Sequence, residues 1–409
     1  MKKVIGITAT DFAGNKGAAA MLQAIVKNVK KEIEDVEFKL FSVYPREDES
    51  QNPYSYLEVV ACKPEQIIFI GFPLAILYKL LCRVSFIKKL LLKNKILKGI
   101  DECDFIVDAA GISFVDSRGF VMNTYNFICV ATPLLLGKKV IKFSQAMGPF
   151  NSFWNKLWAK LTLPHVTKIC ARGEVTYKHL IQLGLKNVEV CADGAFSMLD
   201  DEMSKKQVQA MLETYKLSKG EYVTLSISSV VNKYCKKNNL NYVGKMRELI
   251  TYLNDRGYKV LIIANAARKG NSKNKNNDLL VCSEVYGSLE NKAGCIWIEE
   301  EFTPEVIREL IGNSRMLIAS RFHAMIGALE KGIPVLLIGW SHKYKEVLDM
   351  FKVGEYATDY KELSFESIIA KFEQLDQDYD SIRASIVNHL DKVKNSSYKN
   401  IQIILDELR

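Results

Sequence analysis

Short, continuous apolar runs alternate along this chain with longer stretches in which apolar residues recur every three or four positions. The runs predict buried strands over 3–9, 37–44, 103–110, 139–145, 168–172 and 188–192, and the periodic stretches predict helices between them, among them 17–34 and 119–136. After Asp200 and Asp201 the alternation restarts, with strands predicted over 222–229, 259–265, 295–298, 316–320 and 334–338. Helices are predicted at 242–255, 303–312 and 321–330. Strands that alternate with helices pair in parallel, and such a sheet must be covered on both faces. The restart therefore predicts an α/β chain of two similar domains, 1–200 and 201–385, with a C-terminal helix at 386–409. From Lys361 onward the pattern is helical and charged, with no further strand.

A chain of 409 residues exceeds the size at which one core stops growing. With 48% hydrophobic and 25% charged residues it has the composition of a globular protein, which excludes wholesale disorder. Lys2 and Lys3 lead into only four apolar residues before the sequence turns polar, so the start reads as a strand and not as a secretory signal. Nine cysteines are scattered without a Cys-x-x-Cys pair, which suggests neither a disulfide framework nor a zinc site and fits the cytoplasm. No His-x-x-x-His or Asp-x-Asp pair lies near the candidate sites, so no metal is expected.

Charge changes this picture at one place. The net charge of +9 is concentrated in Ala61–Ile100, where eight basic residues face the single acid Glu65. The concentration argues against nucleic acid as a partner. The same segment holds the apolar run 67–78, shorter than the ~20 residues that cross a bilayer and interrupted by Pro73. Apolar anchors flanked by lysines suit a segment lying on an anionic membrane surface. A core helix with a solvated basic face, or a lid over a cleft, gives the same pattern.

Candidate chemistry gathers where strands hand over to helices. Arg321 and His323 follow the run 316–319 and open a helix that Gly332 stops. Ligands of open parallel sheets bind beyond the carboxyl ends of the strands, and a helix start adds N–H groups and a positive dipole end. Arg321 could grip a carboxylate or phosphate there while His323 moves a proton, or it could merely neutralise a neighbouring acid. Asn15 and Gly17 occupy a glycine turn between the first strand and helix, which lacks the spacing of a dinucleotide site or a P-loop. Arg172, Arg268 and Lys269 sit at strand ends where phosphate could bind, and Asp193 could orient a sugar hydroxyl or cap its turn. His342 is close enough in sequence to serve as a secondary contact. The polar stretch 270–277 is the best candidate for a closing loop.

Five blocks in order carry a resemblance: Gly14-Asn15-Lys16-Gly17-Ala18-Ala19, Ser144-Gln145-Ala146-Met147-Gly148-Pro149-Phe150, Ala171-Arg172-Gly173-Glu174, Ala192-Asp193-Gly194-Ala195-Phe196 and Ser320-Arg321-Phe322-His323-Ala324. The series resembles the polysaccharide pyruvyl transferase family. That resemblance implies two Rossmann-like domains in a GT-B-like arrangement with an interdomain cleft, the second domain holding the donor. It implies transfer of a pyruvyl group from phosphoenolpyruvate onto two sugar hydroxyls as a cyclic ketal, with no cofactor beyond that donor substrate. By that resemblance Arg321 and the Phe322 backbone would bind the donor and His323 would be the catalytic acid and base; by their strand-end positions Arg172, Arg268 and Lys269 would join the donor site. Asn15, Gly17 and Asp193 would meet the acceptor. Capsule and exopolysaccharide precursors are built on a lipid carrier, so the enzyme would rest peripherally on the inner face of the cell membrane. The chain departs from the family at Ala18, at Ala110-Gly111-Ile112 and at Ser228-Ser229, where an Arg often stands. The alternative is a GT-B glycosyltransferase with a nucleotide-sugar donor, and a third reading is a glycan-binding protein without chemistry.

Overall fold

The computed structural model describes residues 2–268, 277–339, 342–359 and 364–409, and the side chains of His342 and Lys343 lie outside what is described. The chain divides into two compact units. One comprises Met1–Ala13, Met21–Leu199 and Lys394–Arg409, the other Gly14–Ala20 and Asp200–Val393. The junction at Leu199 and Asp200 falls where the alternation restarts, while the glycine turn 14–20 is counted with the second unit. The last helix, Tyr379–Leu408, runs from the second unit into the first.

The strands, in chain order, are β1 Lys3–Thr8, β2 Gly14–Asn15, β3 Val36–Ser42, β4 Leu57–Ala61, β5 Phe105–Asp108, β6 Lys139–Gln145, β7 Lys168–Arg172 and β8 Val188–Cys191. They continue as β9 Tyr222–Ile227, β10 Lys259–Ala264, β11 Ala266–Ala267, β12 Cys295–Trp297, β13 Met316–Ala319, β14 Val335–Gly339 and β15 Ala357–Asp359. In the first unit the sheet order is β4-β3-β1-β5-β6-β7-β8, and every pair is parallel. Ile5, Ile7, Val107, Ile141, Phe143 and Ile169 are fully buried along it. Helices cover both faces of such strands, which is why their sequence reads as continuous apolar runs without alternation.

The second unit repeats the design with the order β12-β10-β9-β13-β14-β15, again parallel throughout. Each sheet reverses its order once, between β1 and β5 in the first unit and between β9 and β13 in the second. Crevices for ligands open beyond the carboxyl ends of the strands at such reversals. β2 and β11 form a separate antiparallel pair of two residues each, Ala266 opposite Asn15 and Ala267 opposite Gly14.

The basic segment departs from its sequence reading at Pro73. Pro64–Gln66, a π-helical turn Ile67–Gly71 and the helix Phe72–Leu81 follow one another without a break, and Pro73 stands in the first turn of the last piece. A proline without its N–H is tolerated there, and the wider π turn before it absorbs the ring that a regular helix would reject. Among the described residues Pro64–Leu81 is the one helical stretch long and apolar enough to cross a membrane by length and composition, and 22% of it is buried.

Candidate functional site

The reversal in the second unit is where Arg321, Phe322 and His323 stand, with Arg268 and the glycine turn beside them. β9 ends at Ile227 and leads into Ser228 and Ser229, and β13 ends at Ala319 and leads into Ser320 and Arg321; the two ends are adjacent because Ser226 pairs with Ala319. The Tyr242 hydroxyl ties the two ends together, donating to Ser320 Oγ at 2.8 Å and accepting from the Ser228 N–H at 3.3 Å. Burial pushes the Tyr242 phenol far above its ordinary range, so it stays protonated and keeps its donor.

Arg321 precedes the helix Phe322–Glu330 but does not cap it with its side chain. Its guanidinium turns instead to Asp278, a fully buried carboxylate in the first turn of the helix Asp278–Gly287. Nε donates to Asp278 Oδ2 at 2.8 Å, and Nη2 donates to Asp278 Oδ1 and, at 3.2 Å, to Ser229 Oγ. Asp278 also accepts from the N–H groups of Ser229 and Ala266, each at 2.9 Å. Burial works against the charged guanidinium, but the facing carboxylate outweighs it and Arg321 is held above its ordinary pKa. Breaking such a buried pair from one side costs about 3–5 kcal/mol. Among the described residues none accepts from Nη1, so the fork is locked by its protein partners and one amino group remains for a ligand. The Asp278 carboxylate thus realises the acid-neutralising alternative for Arg321, and it does so without consuming the whole guanidinium.

His323 stands one helical step further on, half-buried, with its ring edge-on to Phe322 at 5.1 Å. Phe322 in turn meets Tyr344 edge-on at 5.3 Å. The glycine turn closes over this ring. A Cβ built on Gly17 would overlap His323, with Nδ1 nearest, so only glycine permits the approach. Gly14, at φ 103°, lies in the same way against the guanidinium of Arg268. Asn15 Oδ1 accepts from the Gly17 N–H at 3.1 Å and holds the turn, while Lys16, nearly buried, pairs with Glu301 at 2.8 Å. Asn277 fastens Arg268 from the other side, its amide donating to the Arg268 carbonyl at 3.1 Å.

Arg321, Phe322, His323, Arg268, Asn15 and Gly17 are therefore gathered in one unit. Arg172 and Asp193 belong to the other and pair with each other: Arg172 Nη1 donates to Asp193 Oδ2 at 2.7 Å, with both side chains buried. Asp193 Oδ1 also accepts from the Ala195 N–H at 2.9 Å, the turn-capping role that sequence left open. Lys269 and the stretch 270–276 lie outside the described residues, as does the side chain of His342.

Sequence reasoning passed over Asp278, Ser229 as an Arg321 partner, and a second buried network in the first unit. There, Lys142 Nζ meets Asp108 Oδ2 at 2.6 Å, and Gln145 donates to Asp108 Oδ1 at 2.9 Å, at the carboxyl ends of β5 and β6. A lysine inside an apolar strand next to the Ser-Gln block was the available signal. Among the described residues no group of three or more His, Cys, Asp or Glu side chains is placed to hold a metal ion.

Residues 15–342 match the family described as polysaccharide pyruvyl transferase. The chain is similar to the amylovoran biosynthesis protein AmsJ of Erwinia amylovora, 20% identical over 399 residues that cover 93% of each protein. Among solved structures it is similar to a UDP-GlcNAc 2-epimerase from Neisseria meningitidis, with a TM-score of 0.61, 12% identity and 99% of each chain covered. A structure described as a ugt transferase from Siraitia grosvenorii in complex with UDP gives 0.57 at 12% identity, again with 99% of each chain covered. At these identities the structures speak for the fold alone, and they bear out an α/β chain of GT-B type with two Rossmann-like units.

Proposed function

Because the chain belongs to the polysaccharide pyruvyl transferase family, and is thereby a transferase with a role in polysaccharide modification, we propose that phosphoenolpyruvate is its donor and a lipid-linked glycan precursor its acceptor. The observation that carries the reading is the pairing of a locked guanidinium with an adjacent half-buried imidazole at the strand-order reversal of the second unit. A proton delivered to the methylene carbon of phosphoenolpyruvate makes the central carbon electrophilic. One sugar hydroxyl adds there and gives up its proton, and a second hydroxyl then displaces phosphate to close the ketal. His323 is the group in this cluster that can give and take protons near neutral pH. Arg321, fixed by Asp278, offers Nη1 to the donor carboxylate or phosphate, and Arg268 adds charge from the neighbouring strand end. Asn15 and Gly17 line the same cluster, and their contact with the acceptor is part of the proposal, as is a donor role for Arg172. No cofactor is invoked beyond the donor.

The basic, apolar segment Ala61–Ile100 supports a peripheral position on the inner face of the membrane, where lipid-linked precursors are built. The test is incubation of the purified chain with acceptor and either phosphoenolpyruvate or a nucleotide sugar. Phosphate release together with a gain of ~70 Da on the glycan, the mass of a pyruvyl ketal, is the expected result. Release of nucleoside diphosphate would overturn it in favour of glycosyl transfer.

A further inference from the structure

The first unit carries an apolar surface that extends beyond the basic segment. Phe72 packs edge-on to Phe127 at 5.8 Å, Phe127 lies 4.4 Å from Trp158, and Trp158 stacks on Trp154 at 5.8 Å. Trp154 then meets Phe120 at 5.3 Å and Phe153 at 5.2 Å. The rings join the helices Phe72–Leu81, Gly119–Leu135 and Phe153–Thr162 across one side of the unit, and the helix Ser85–Leu91 packs beside the first. Rings in the middle of the chain are partly buried, but its ends open outward. Phe69 and Phe86 are each 75% exposed at one end, Val121 79% and Phe153 70% at the other. Monomeric proteins rarely leave extended apolar surface bare unless something covers it.

Charge identifies what covers them. These four helices contain Lys79, Lys89, Lys156 and Lys160, besides Lys88, which faces Asp101 at 3.9 Å, and not one acidic residue of their own. A second copy placed face to face would set lysines against lysines, and protein interfaces are depleted of lysine at their centres. An anionic bilayer suits both features at once: phenyl and indole rings enter the boundary between headgroups and acyl chains, while lysines reach past them to the phosphates.

We propose that the first unit docks on anionic lipid through this composite four-helix face, with Val121, Phe153 and Trp154 as an anchor distinct from segment 61–100. The proposal rests on the membrane reading given above and enlarges the contact from one segment to a face. Two anchors at separate ends fix the unit's tilt on the membrane, which a single amphipathic helix does not.

Flotation of the full chain with vesicles of phosphatidylcholine, alone or with increasing phosphatidylglycerol, tests it. The wild type should float only with the anionic vesicles and detach at high salt. Val121→Ser/Phe153→Ser, both exposed and therefore tolerated by the fold, should weaken partitioning by at least roughly tenfold, as should Phe69→Ser/Phe86→Ser. Both variants should release phosphate from phosphoenolpyruvate with a water-soluble acceptor at the wild-type rate. Wild-type flotation by Val121→Ser/Phe153→Ser, with loss in the other pair, would overturn the composite face. No flotation at all, or a wild-type dimer that either pair dissociates, would overturn lipid as the occupant, and equal flotation on neutral vesicles would overturn the anionic surface that the proposal names. Loss of phosphate release with flotation intact would sink the proposed chemistry and leave the docking face standing.

Discussion

Gly17→Ala adds one methyl group where the glycine turn meets the catalytic candidate. The new Cβ would overlap Nδ1 and Cγ of His323 and lie 2.5 Å from Cε1, well inside van der Waals contact. Position 17 is helical, so alanine itself is at ease and improves local propensity. The whole penalty therefore comes from the ring. If the imidazole stays, overpacking costs about 1–3 kcal/mol, which for a unit of this size lowers Tm by roughly 2–12 °C. If the imidazole rotates away, stability recovers, but a displacement of ~1 Å at a proton-transfer group costs about 10²-fold in kcat. Scanning calorimetry and phosphate release from phosphoenolpyruvate measure the two arms. In a His323→Ala background the space is empty, so Gly17→Ala should cost almost nothing, and the double-mutant cycle isolates the contact. Wild-type Tm together with wild-type turnover in Gly17→Ala would refute the contact. An equal stability loss with and without the ring would place the clash elsewhere.

His323→Ala alone should lower phosphate release by about 10²–10⁴-fold with the fold intact, and turnover at the wild-type rate would remove the proton-transfer role. Arg321→Lys keeps the charge but cannot hold both Asp278 oxygens and Ser229 while offering a donor outward. A raised KM for phosphoenolpyruvate and a lower Tm are expected, and a change in neither would show that the fork is dispensable. Asp200 supplies a pH dependence: burial alone would raise its pKa, but Lys331 at 3.0 Å, with Lys205 and Arg308, holds it down to about 2. A carboxylate depressed in the folded state stabilises above its unfolded pKa of ~3.9 and loses that contribution as pH falls toward the folded value. Asp200→Asn should flatten the acid limb of unfolding in this window, and an unchanged limb would assign it to other carboxylates. Lys89, Lys93 and Lys95 changed together to Gln should weaken binding to anionic vesicles by roughly 3 kcal/mol, at ~1 kcal/mol each. Lys88 is left out because its ammonium already lies 3.9 Å from Asp101, and partitioning equal to wild type would show that these lysines do not face lipid.

The sheets were legible because parallel strands buried on both faces leave continuous apolar runs, and β6 and β7 fall on the predicted residues. β15 escaped because Ala357-Thr358-Asp359 holds no apolar run to read, and β4, five residues interrupted by the exposed Glu58, was missed although the short edge strands β8 and β12 were found. β2 and β11 have two residues each and no pattern to read. The exposed end of the face at Phe153 was hidden for the opposite reason. Its helix has an ordinary amphipathic sequence, and only the packed helices reveal that its apolar side continues outward.

Asp278 marks the deeper limit, and it changes what Arg321 means. The strand-to-helix pattern made Arg321 and His323 candidates for a site, but the acid that faces Arg321 lies 43 residues away in sequence, at the end of a polar stretch that resembles a loop. Only the order of β9, β10 and β13 brings the helix Asp278–Gly287 beside them. Once paired, Arg321 contributes direction more than net charge: its cation is balanced by Asp278, its plane is fixed by two side chains, and no described residue accepts from Nη1. A highly anionic donor then needs positive charge from elsewhere in the cluster. Arg268, stacked on Gly14, is in place to supply it, together with the start of the helix Phe322–Glu330 and a protonated His323. In the proposed reaction His323 would bind the donor as the charged acid and surrender the proton as the donor's methylene accepts it. The charge that would help hold phosphoenolpyruvate would thus be spent in activating it.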